Sequence, residues 1–342
     1  MVQKILKRVL GGLLLCIALG LFLYPNLREI RTSSEVTEIA DELPEAPPVP
    51  VEPEPEPTEP TEPEEPAEPA EPETPAETPQ VQAIPLPELY KAFTEYNRSL
   101  ITDGQEITDA WEGSPEAPNI SALDNGLLGY IEVPDMGIEL PLYVGASYSH
   151  LSDGAAIQWG TSMPIGGVST NCVVVGHRGW YGSRYFAYIN RMTEGSRVYL
   201  HTPWGILTYE ATARKIISPD DLESVSIQPG KDMVTLLSCH PYAAAGGAKY
   251  RYLVYCERVP GDPYPTADEP QQEPKPSETP LPYEEDSIPA VEADPSGTDD
   301  LVTVLELNLT RYLPPITLLL CALILFLRSR DGKPKKKGEL AS

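Results

Sequence analysis

Two long apolar runs lie near the ends of the chain. The first occupies residues 9–25 (VLGGLLLCIALGLFLYP) after Lys4, Lys7 and Arg8, and the second occupies residues 312–327 (YLPPITLLLCALILFL) before the basic stretch RSRDGKPKKK. Both predict membrane-spanning helices, although the first run also fits the core of a cleaved signal peptide. Because no small-x-small cleavage site follows it, we expect an uncleaved signal-anchor. The basic flanks predict cytoplasmic termini and an external region between the spans.

The central part of the chain shows two successive hydrophobic periods. In PELYKAFTEYNRSLI the apolar positions follow helical spacing and predict an amphipathic helix: Leu89, Tyr90, Phe93, Tyr96 and Leu100. From Leu127 onward, short runs rich in Val, Ile, Leu and Tyr are separated by Gly, Pro, Asp and Asn, which predicts strands. The candidate strands are LLGYIEVP, IELPLYVG, CVVVGH, RVYLHT, ILTYEATARKII, MVTLLSC and YRYLVYCERV. Because helices do not alternate regularly with these strands, the pattern favours a barrel or a sandwich over a doubly wound fold.

Proline and acidic residues are concentrated in two stretches, residues 41–79 and 260–300. The first contains the tract VEPEPEPTEPTEPEEPAEPAEPETPAETP. Proline favours extended geometry, carboxylates repel one another, and no apolar surface offsets the entropy of ordering, so we expect semi-rigid spacers. The net charge of −26 arises largely there and argues against nucleic-acid binding, which needs a basic face.

These patterns divide the chain into six predicted segments. They are a signal-anchor (1–28), a disordered Pro/Glu-rich spacer (29–85), a helical extension with a possible lid (86–126), a β domain (127–259), a disordered acidic linker (260–305), and a transmembrane helix with a basic tail (306–342). The predicted fold class is therefore mainly β, with short helices, between two transmembrane helices and Pro/Glu-rich spacers.

The five cysteines do not suggest a disulfide framework. Cys16 and Cys321 lie inside the apolar runs, so three cysteines are left in the external region, an odd number that cannot all pair with one another. No two cysteines have the CxxC spacing that is typical of a metal site. Cys172 and Cys256 lie within apolar strand runs and are expected to be core thiols. Cys239 instead ends a predicted strand at a position where loops build sites.

Cys239, His177 and Arg251 form the candidate chemical constellation. His177 also ends a predicted strand, and Arg251 opens the strand that follows Cys239 across the loop HPYAAAGGAKY. If these strands are neighbours, the three side chains meet in one pocket at the barrel's mouth as a nucleophile, a proton-transfer partner and a permanent cation. Taken singly, each residue also fits a structural role: a packed core thiol, a loop histidine and a surface arginine.

The remaining histidines are weaker candidates for a base. His240 follows Cys239 directly, but adjacent strand residues point to opposite faces, so His240 should face away from the chemistry. His150 and His201 have no partner pattern and are expected to be structural.

Several segments resemble sortases. TLLSCHPY (residues 235–242) resembles the TLxTC signature, with Ser238 in place of the second threonine, and VVVGHRG (173–179) resembles the segment that bears the family histidine. RYLV (251–254) resembles the strand that bears the arginine. Two further segments are also similar, GTSMPIGG (160–167) and GYIEVPDMGIELPLYVG (129–145). The resemblance covers most of the globular region in the right order and implies a closed β-barrel of about eight strands.

The resemblance also implies site residues and a subclass. It makes Cys239, His177 and Arg251 catalytic, with Thr235 and Ser238 as candidates for substrate binding. GHRG, two spans and an N-terminal extension resemble class C, the pilin-polymerising type, in which an Asp-Pro-aromatic triplet often forms a lid. The nearest triplet here, Asp109-Ala110-Trp111, lacks the proline, and His240 and the loop AAAGGAKY also depart from the class C pattern. The subclass and the acceptor therefore stay open.

The implied activity is that of a cysteine transpeptidase of the Gram-positive cell surface, a thiol peptidase and acyltransferase. It would cleave an LPxTG-like sorting signal of a secreted protein through a thioacyl intermediate. It would then transfer the protein to an amine, either a pilin lysine or a peptidoglycan cross-bridge. No cofactor and no metal are expected. Two alternatives are an L,D-transpeptidase, whose S-x-G-C context is absent, and a non-catalytic membrane-tethered surface module with an incidental cysteine.

Overall fold

The computed structural model describes residues 2–43, 84–108, 117–179, 183–242, 248–259, 279–289 and 299–330. Eight strands close into one barrel in the order β1-β2-β3-β4-β7-β8-β6-β5. Their bounds are β1 Leu127–Val133, β2 Ile138–Val144, β3 Ala155–Ile157, β4 Thr170–Val175, β5 Arg197–Thr202, β6 Gly205–Ile217, β7 Asp232–His240 and β8 Tyr250–Arg258. The helices are α1 Val2–Glu42, α2 Pro87–Thr102, α3 Tyr148–Asp153 and α4 Asp299–Arg330, with 3₁₀ turns at Asp124–Gly126, Pro134–Met136, Ile189–Arg191 and Glu223–Val225. The predicted closed β-barrel between two long apolar helices is confirmed.

Most strand pairs are antiparallel, but β2 pairs with β3 and β4 pairs with β7 in parallel. The long strand β6 closes the barrel because residues 205–210 pair with β5 and residues 209–217 pair with β8, with an irregularity between Ala211 and Ala213 in the β8 pairing. Alternation along the strands divides the apolar residues into two clusters. In β7, Val234 and Leu236 belong to the interior cluster, whereas Leu237 belongs to a second cluster on the outer face of the barrel.

The N-terminal extension packs on the barrel through α2. Leu89 and Phe93 on one face of this helix are buried in the interior cluster, and Phe93 meets Trp204 edge-on. The Asn97 amide donates to Met163 O at 3.1 Å and its oxygen accepts from Met163 N at 2.7 Å. The extension is therefore joined to the barrel by apolar and polar contacts.

The helices α1 and α4 pack against each other in antiparallel fashion. Gly11 faces the Ala322 carbonyl, and Arg311 near the other end forms an ion pair with Glu29 at 3.2 Å. By length and composition both helices can cross a membrane. The helix α1 continues to Glu42, beyond the boundary at residue 28 predicted for the spacer, because the sequence from residue 26 to 42 contains no proline.

Part of the predicted acidic linker also has a defined structure. Residues 279–289 follow the edge of β6 that β5 leaves uncovered, where Arg214 N donates to Pro282 O and Glu284 N donates to Arg214 O, both at 2.9 Å. Leu281 is buried, and Lys215 pairs with Asp286 at 2.5 Å. These residues depart from the expectation of a disordered linker because they satisfy backbone groups of an open strand edge.

Candidate active site at the ends of β4, β7 and β8

The three predicted catalytic residues form one row: Cys239 and Arg251 lie on the adjacent strands β7 and β8, and His177 lies just past the end of β4. Cys239 and Arg251 are directly opposite in the antiparallel β7–β8 pair. Residues in such register have Cβ atoms about 5 Å apart. In the parallel β4–β7 pair, Val175 is opposite Leu237. His177 lies two residues beyond Val175, where β4 ends, just as Cys239 lies two beyond Leu237.

The segment that carries the histidine is tied to the strand that carries the cysteine. Gly176 N donates to Leu237 O at 3.1 Å, and Ser238 Oγ donates to Gly176 O at 2.8 Å. A Cβ at Gly176 would lie 2.7 Å from the Phe186 ring, so only glycine allows this close approach. The two strand ends are therefore held together just before the site.

The row lies on the outer face of the barrel. Val175 and Leu237, two positions before His177 and Cys239, and Leu253, two positions after Arg251, all belong to the outer cluster. Side chains two residues apart on a strand share a face, so the three site residues continue this outer row. The expectation of a pocket in the barrel's mouth is thereby corrected: the interior below the row is filled by other side chains.

Those interior side chains are Arg178, His240 and Tyr252. Arg178 Nη1 lies 2.8 Å from His240 Nδ1 and donates to Cys239 O at 3.4 Å, and its guanidinium carbon lies 5.5 Å from the centre of the Tyr252 ring. Both Arg178 and His240 are buried. His240 therefore turns to the opposite face from Cys239, as strand alternation predicts.

His177 is a neutral imidazole at pH 7. Burial, and to a smaller extent the positive charge of Arg28, together lower its pKa from 6.5 to about 4. Among the described residues of the row, the permanent cation is Arg251, which is half-buried and donates to Tyr250 O at 3.2 Å.

Arg28 reaches the site from α1 through Tyr185. Its Nη2 donates to Tyr185 Oη at 3.0 Å and lies 4.0 Å from Asp153 Oδ1. The Tyr185 hydroxyl donates to Ser152 O at 2.7 Å, and its ring meets the His177 ring edge-on with centres 6.4 Å apart. Sequence reasoning missed Arg28 because nothing in the local pattern of α1 points to a contact with the distant barrel.

The two residues predicted to bind substrate are inside the protein. Thr235 is fully buried and donates to Asn171 Oδ1 at 2.8 Å, while Ser238 is 1% exposed and bonded to the backbone of the histidine segment. Direct contact with a substrate is not open to either side chain in this structure. Asp109 and Trp111, the predicted lid, lie outside the described residues.

The chain that leads to the predicted lid is held beside the row. Ile107 packs against the outer cluster, and Thr108 O accepts from Gln158 Nε2 at 2.6 Å. Gln105 Nε2 donates to Gly160 O at 3.0 Å, and its Oε1 accepts from the backbone N–H of residue 227 at 2.7 Å. These contacts fix the direction in which the extension approaches the site.

The other thiols and histidines have structural surroundings. Burial raises the pKa of the Cys172 and Cys256 thiols well above their usual range, whereas Cys239 is half-buried. His150 contacts Gly145 O through Nδ1, and His201 stacks on a tyrosine of β1 and contacts a glutamate there. Within the parts of the chain that the structure describes, no cluster of three or more His, Cys, Asp or Glu side chains could hold a metal ion.

The closed eight-stranded barrel thus carries Cys239 and Arg251 opposite each other on β7 and β8, with His177 just past the end of β4. The Sortase domain family model matches residues 131–259, which run from β1 to just past β8 and include the whole row. The solved Streptococcus pneumoniae Sortase C is 32% identical, with 53% of this chain covering 91% of that chain at a TM-score of 0.47. Sortase C from Clostridium perfringens SM101 is 32% identical at a TM-score of 0.44, and the alignment covers 53% of this chain and 92% of that chain. The chain belongs to the sortase family.

Two curated relatives carry other sortase names. Sortase D of Bacillus subtilis (strain 168) is 28% identical over 131 residues, which are 38% of this chain and 63% of that protein. Sortase A of Streptococcus agalactiae serotype III (strain NEM316) is 29% identical over 147 residues, which are 42% and 57% of the two chains. The matched region thus spans less than two thirds of either curated relative.

Proposed function

We propose that this protein is a membrane-anchored cysteine transpeptidase with Cys239 as its nucleophile. The observation that carries the proposal is the row in which Cys239 and Arg251 are directly opposite on β7 and β8 and His177 lies just past the end of β4, with Cys239 half-buried. Cys239 lies on the middle strand of the three, so the base and the cation are each about one strand spacing from the nucleophile, on opposite sides of it. A non-catalytic module would have no reason to align these three residue types.

The neutral His177 accepts the Cys239 proton, and the thiolate attacks the carbonyl carbon of the threonine in an LPxTG-like signal. Arg251 stabilises the negative charge on the carbonyl oxygen. The protonated His177 then gives its proton to the departing glycine amine, which leaves a thioacyl enzyme. An incoming amine attacks the thioester, loses its proton to His177 and releases the cysteine sulfur.

We infer that the acceptor is a pilin lysine, as in class C sortases. The crystal structure of Streptococcus pneumoniae Sortase C bears on pilin substrate specificity, and that protein is 32% identical to this chain over most of its own length. The extension supports a lid at Asp109 and Trp111, because residues 105–108 are held on the face that carries the site. The peptidoglycan cross-bridge is the competing acceptor.

We further propose that α1 and α4 both span the cell membrane and that the barrel is external. Their antiparallel pairing places residues 2 and 330 at the same end of the helix pair. The basic residues next to both apolar runs favour the cytoplasm for that end. The partners are then secreted proteins with sorting signals, which meet the enzyme at the membrane surface.

The test uses the full chain in detergent micelles, incubated with an LPxTG peptide and followed by intact mass. We expect a thioacyl adduct on the wild type and on Cys256→Ala, a matched control that removes a buried thiol. Cys239→Ala should form no adduct, and His177→Ala should nearly abolish turnover. Transpeptidation by Cys239→Ala would refute the mechanism.

The acceptor is identified in the same reaction by competition. A lysine-bearing pilin peptide and a cross-bridge amine are supplied together, and the products are separated by mass. Predominant transfer to the lysine supports the pilin-polymerising function. Exclusive transfer to the cross-bridge amine would replace that function by cell-wall anchoring, with the catalytic row unchanged.

A further inference from the structure

Arg178 and His240 form a buried pair that the proposed mechanism does not use. They are the chain neighbours of His177 and Cys239, and they meet on the opposite, interior face, with Arg178 Nη1 2.8 Å from His240 Nδ1. Arg178 is 4% exposed and His240 is 3% exposed. Arg178 also donates through Nε to Ala187 O at 3.4 Å, so it joins three separate backbone segments.

The chemistry of the pair assigns its protons. A guanidinium has only donors, so His240 Nδ1 must be the acceptor in this contact. His240 is therefore neutral, with its ring proton on Nε2. In this state the lone pair of Nδ1 is occupied by the hydrogen bond from Arg178, and Nε2 carries the proton. His240 therefore has no nitrogen available to accept the proton of Cys239.

We propose that Arg178 and His240 are positioning residues that couple the histidine segment to the nucleophile strand. Arg178 holds the carbonyl of Cys239 and the ring of His240 together, so neither strand end can shift without breaking a buried hydrogen bond. The breaking of such a bond leaves buried polar groups unsatisfied, which is unfavourable. The pair thus keeps the row above it in register.

The same contact places a permanent positive charge beneath the nucleophile. The guanidinium lies within hydrogen-bonding distance of the carbonyl oxygen of Cys239 itself, in a buried region where electrostatic interactions are stronger than in water. A nearby cation favours a thiolate over a thiol. Arg178 therefore supports Arg251 from the other side of the sheet.

The inference rests on the proposed function, but one of its readouts is independent of substrate. The full chain in detergent micelles is alkylated with iodoacetamide across a pH series, and modification of Cys239 is followed by peptide mass. Arg178→Met should move the alkylation profile to higher pH, because the buried cation is lost. Arg191→Met, which removes an exposed arginine that stacks on Tyr188, should leave the profile unchanged.

The second readout compares two variants of His240 in turnover of an LPxTG peptide. In His240→Asn the amide oxygen replaces Nδ1 as the acceptor, whereas His240→Leu offers no acceptor. Because small displacements of reacting groups are costly, His240→Leu should lower kcat by roughly 10- to 100-fold with little change in KM. His240→Asn should recover most of that loss.

Three outcomes would overturn the proposal. They are an unshifted alkylation profile in folded Arg178→Met, an unchanged kcat in His240→Leu, or equal damage in His240→Asn and His240→Leu, which would show that only ring packing matters. Near-ultraviolet circular dichroism checks that each variant is folded. If Arg178→Met does not fold, the two His240 variants decide. Absence of peptide turnover in the wild type would instead refute the proposed function.

Discussion

Replacement of Arg28 by methionine should raise the pKa of His177, although the two residues lie on different parts of the fold. The Arg28 guanidinium carbon lies 5.8 Å from the centre of the Tyr185 ring, which is 6.4 Å from the centre of the His177 ring, so cation and imidazole are at most about 12 Å apart. With an effective dielectric constant of about 20, Coulomb's law gives an unfavourable interaction on the order of 1.4 kcal/mol at that distance. This energy corresponds to a change of about one unit in the pKa of His177.

The expected pKa of His177 in Arg28→Met is therefore roughly 5, compared with about 4 in the native protein. It should stay below the usual 6.5 because burial, the larger cause, is unchanged. The increase should shrink at high salt, where a charge about 12 Å away is screened.

The assay is a nuclear magnetic resonance titration of the full chain in micelles with ring-labelled histidine. The chain has only four histidines, and His177→Gln assigns the signal. Two matched controls should titrate like the wild type: Arg28→Lys, which keeps the charge, and Arg31→Met, which removes an exposed arginine from the same helix. An unchanged pKa in Arg28→Met would refute the electrostatic contact between α1 and the site.

Two further predictions concern stability. Between about pH 6.5 and pH 4 the unfolded state binds a proton at His177 that the native state does not, so lowering the pH through this window should destabilise the fold by on the order of 2–3 kcal/mol. Thermal unfolding of the wild type and of His177→Gln is measured at pH 7 and pH 4.5, and the variant should lose less stability between the two pH values. An equal loss in both proteins would contradict the prediction. Asn171→Ala removes the hydrogen bonds from the Asn171 amide to the carbonyls of Val225 and Ser226, and it leaves the buried Thr235 hydroxyl without its acceptor. The free energy of unfolding, measured with denaturant, should fall by about 2–4 kcal/mol. Thr235→Val should cost less, since both amide donor bonds remain.

Local patterns along the sequence predicted much of the site. Strand alternation placed Cys239 and His240 on opposite faces, and the structure shows His240 against Arg178 in the interior. The TLLSC and GHRG segments, through their resemblance to sortases, pointed to Cys239 and His177, and the connection across one loop predicted that Arg251 returns beside Cys239, where the structure has it. The alternation of side chains along one strand and the antiparallel pairing of two strands joined by one loop depend only on residues close in sequence, so both could be predicted.

The charge state of the site was not predictable in the same way. The sequence indicated a proton-transfer role for His177 but not its pKa, which burial and Arg28 lower to about 4. Thr235 and Ser238 also belong to the recognisable signature, yet their side chains are buried and bond to neighbouring segments. Both results depend on which distant groups surround a side chain, and no local pattern carries that information.

By itself, the sequence determined the chemistry that is available: apolar runs long enough for a membrane, two stretches rich in proline and acidic residues, and a thiol, an imidazole and a guanidinium at predicted strand ends. Tertiary structure alone decided how these groups are combined. It put the row on the outer face of the barrel, joined Arg178 to His240 beneath it and brought Arg28 from the N-terminal helix to Tyr185. The physical reason is that secondary structure follows from neighbours along the chain, whereas burial, register and electrostatic environment follow from segments that meet only when the barrel closes.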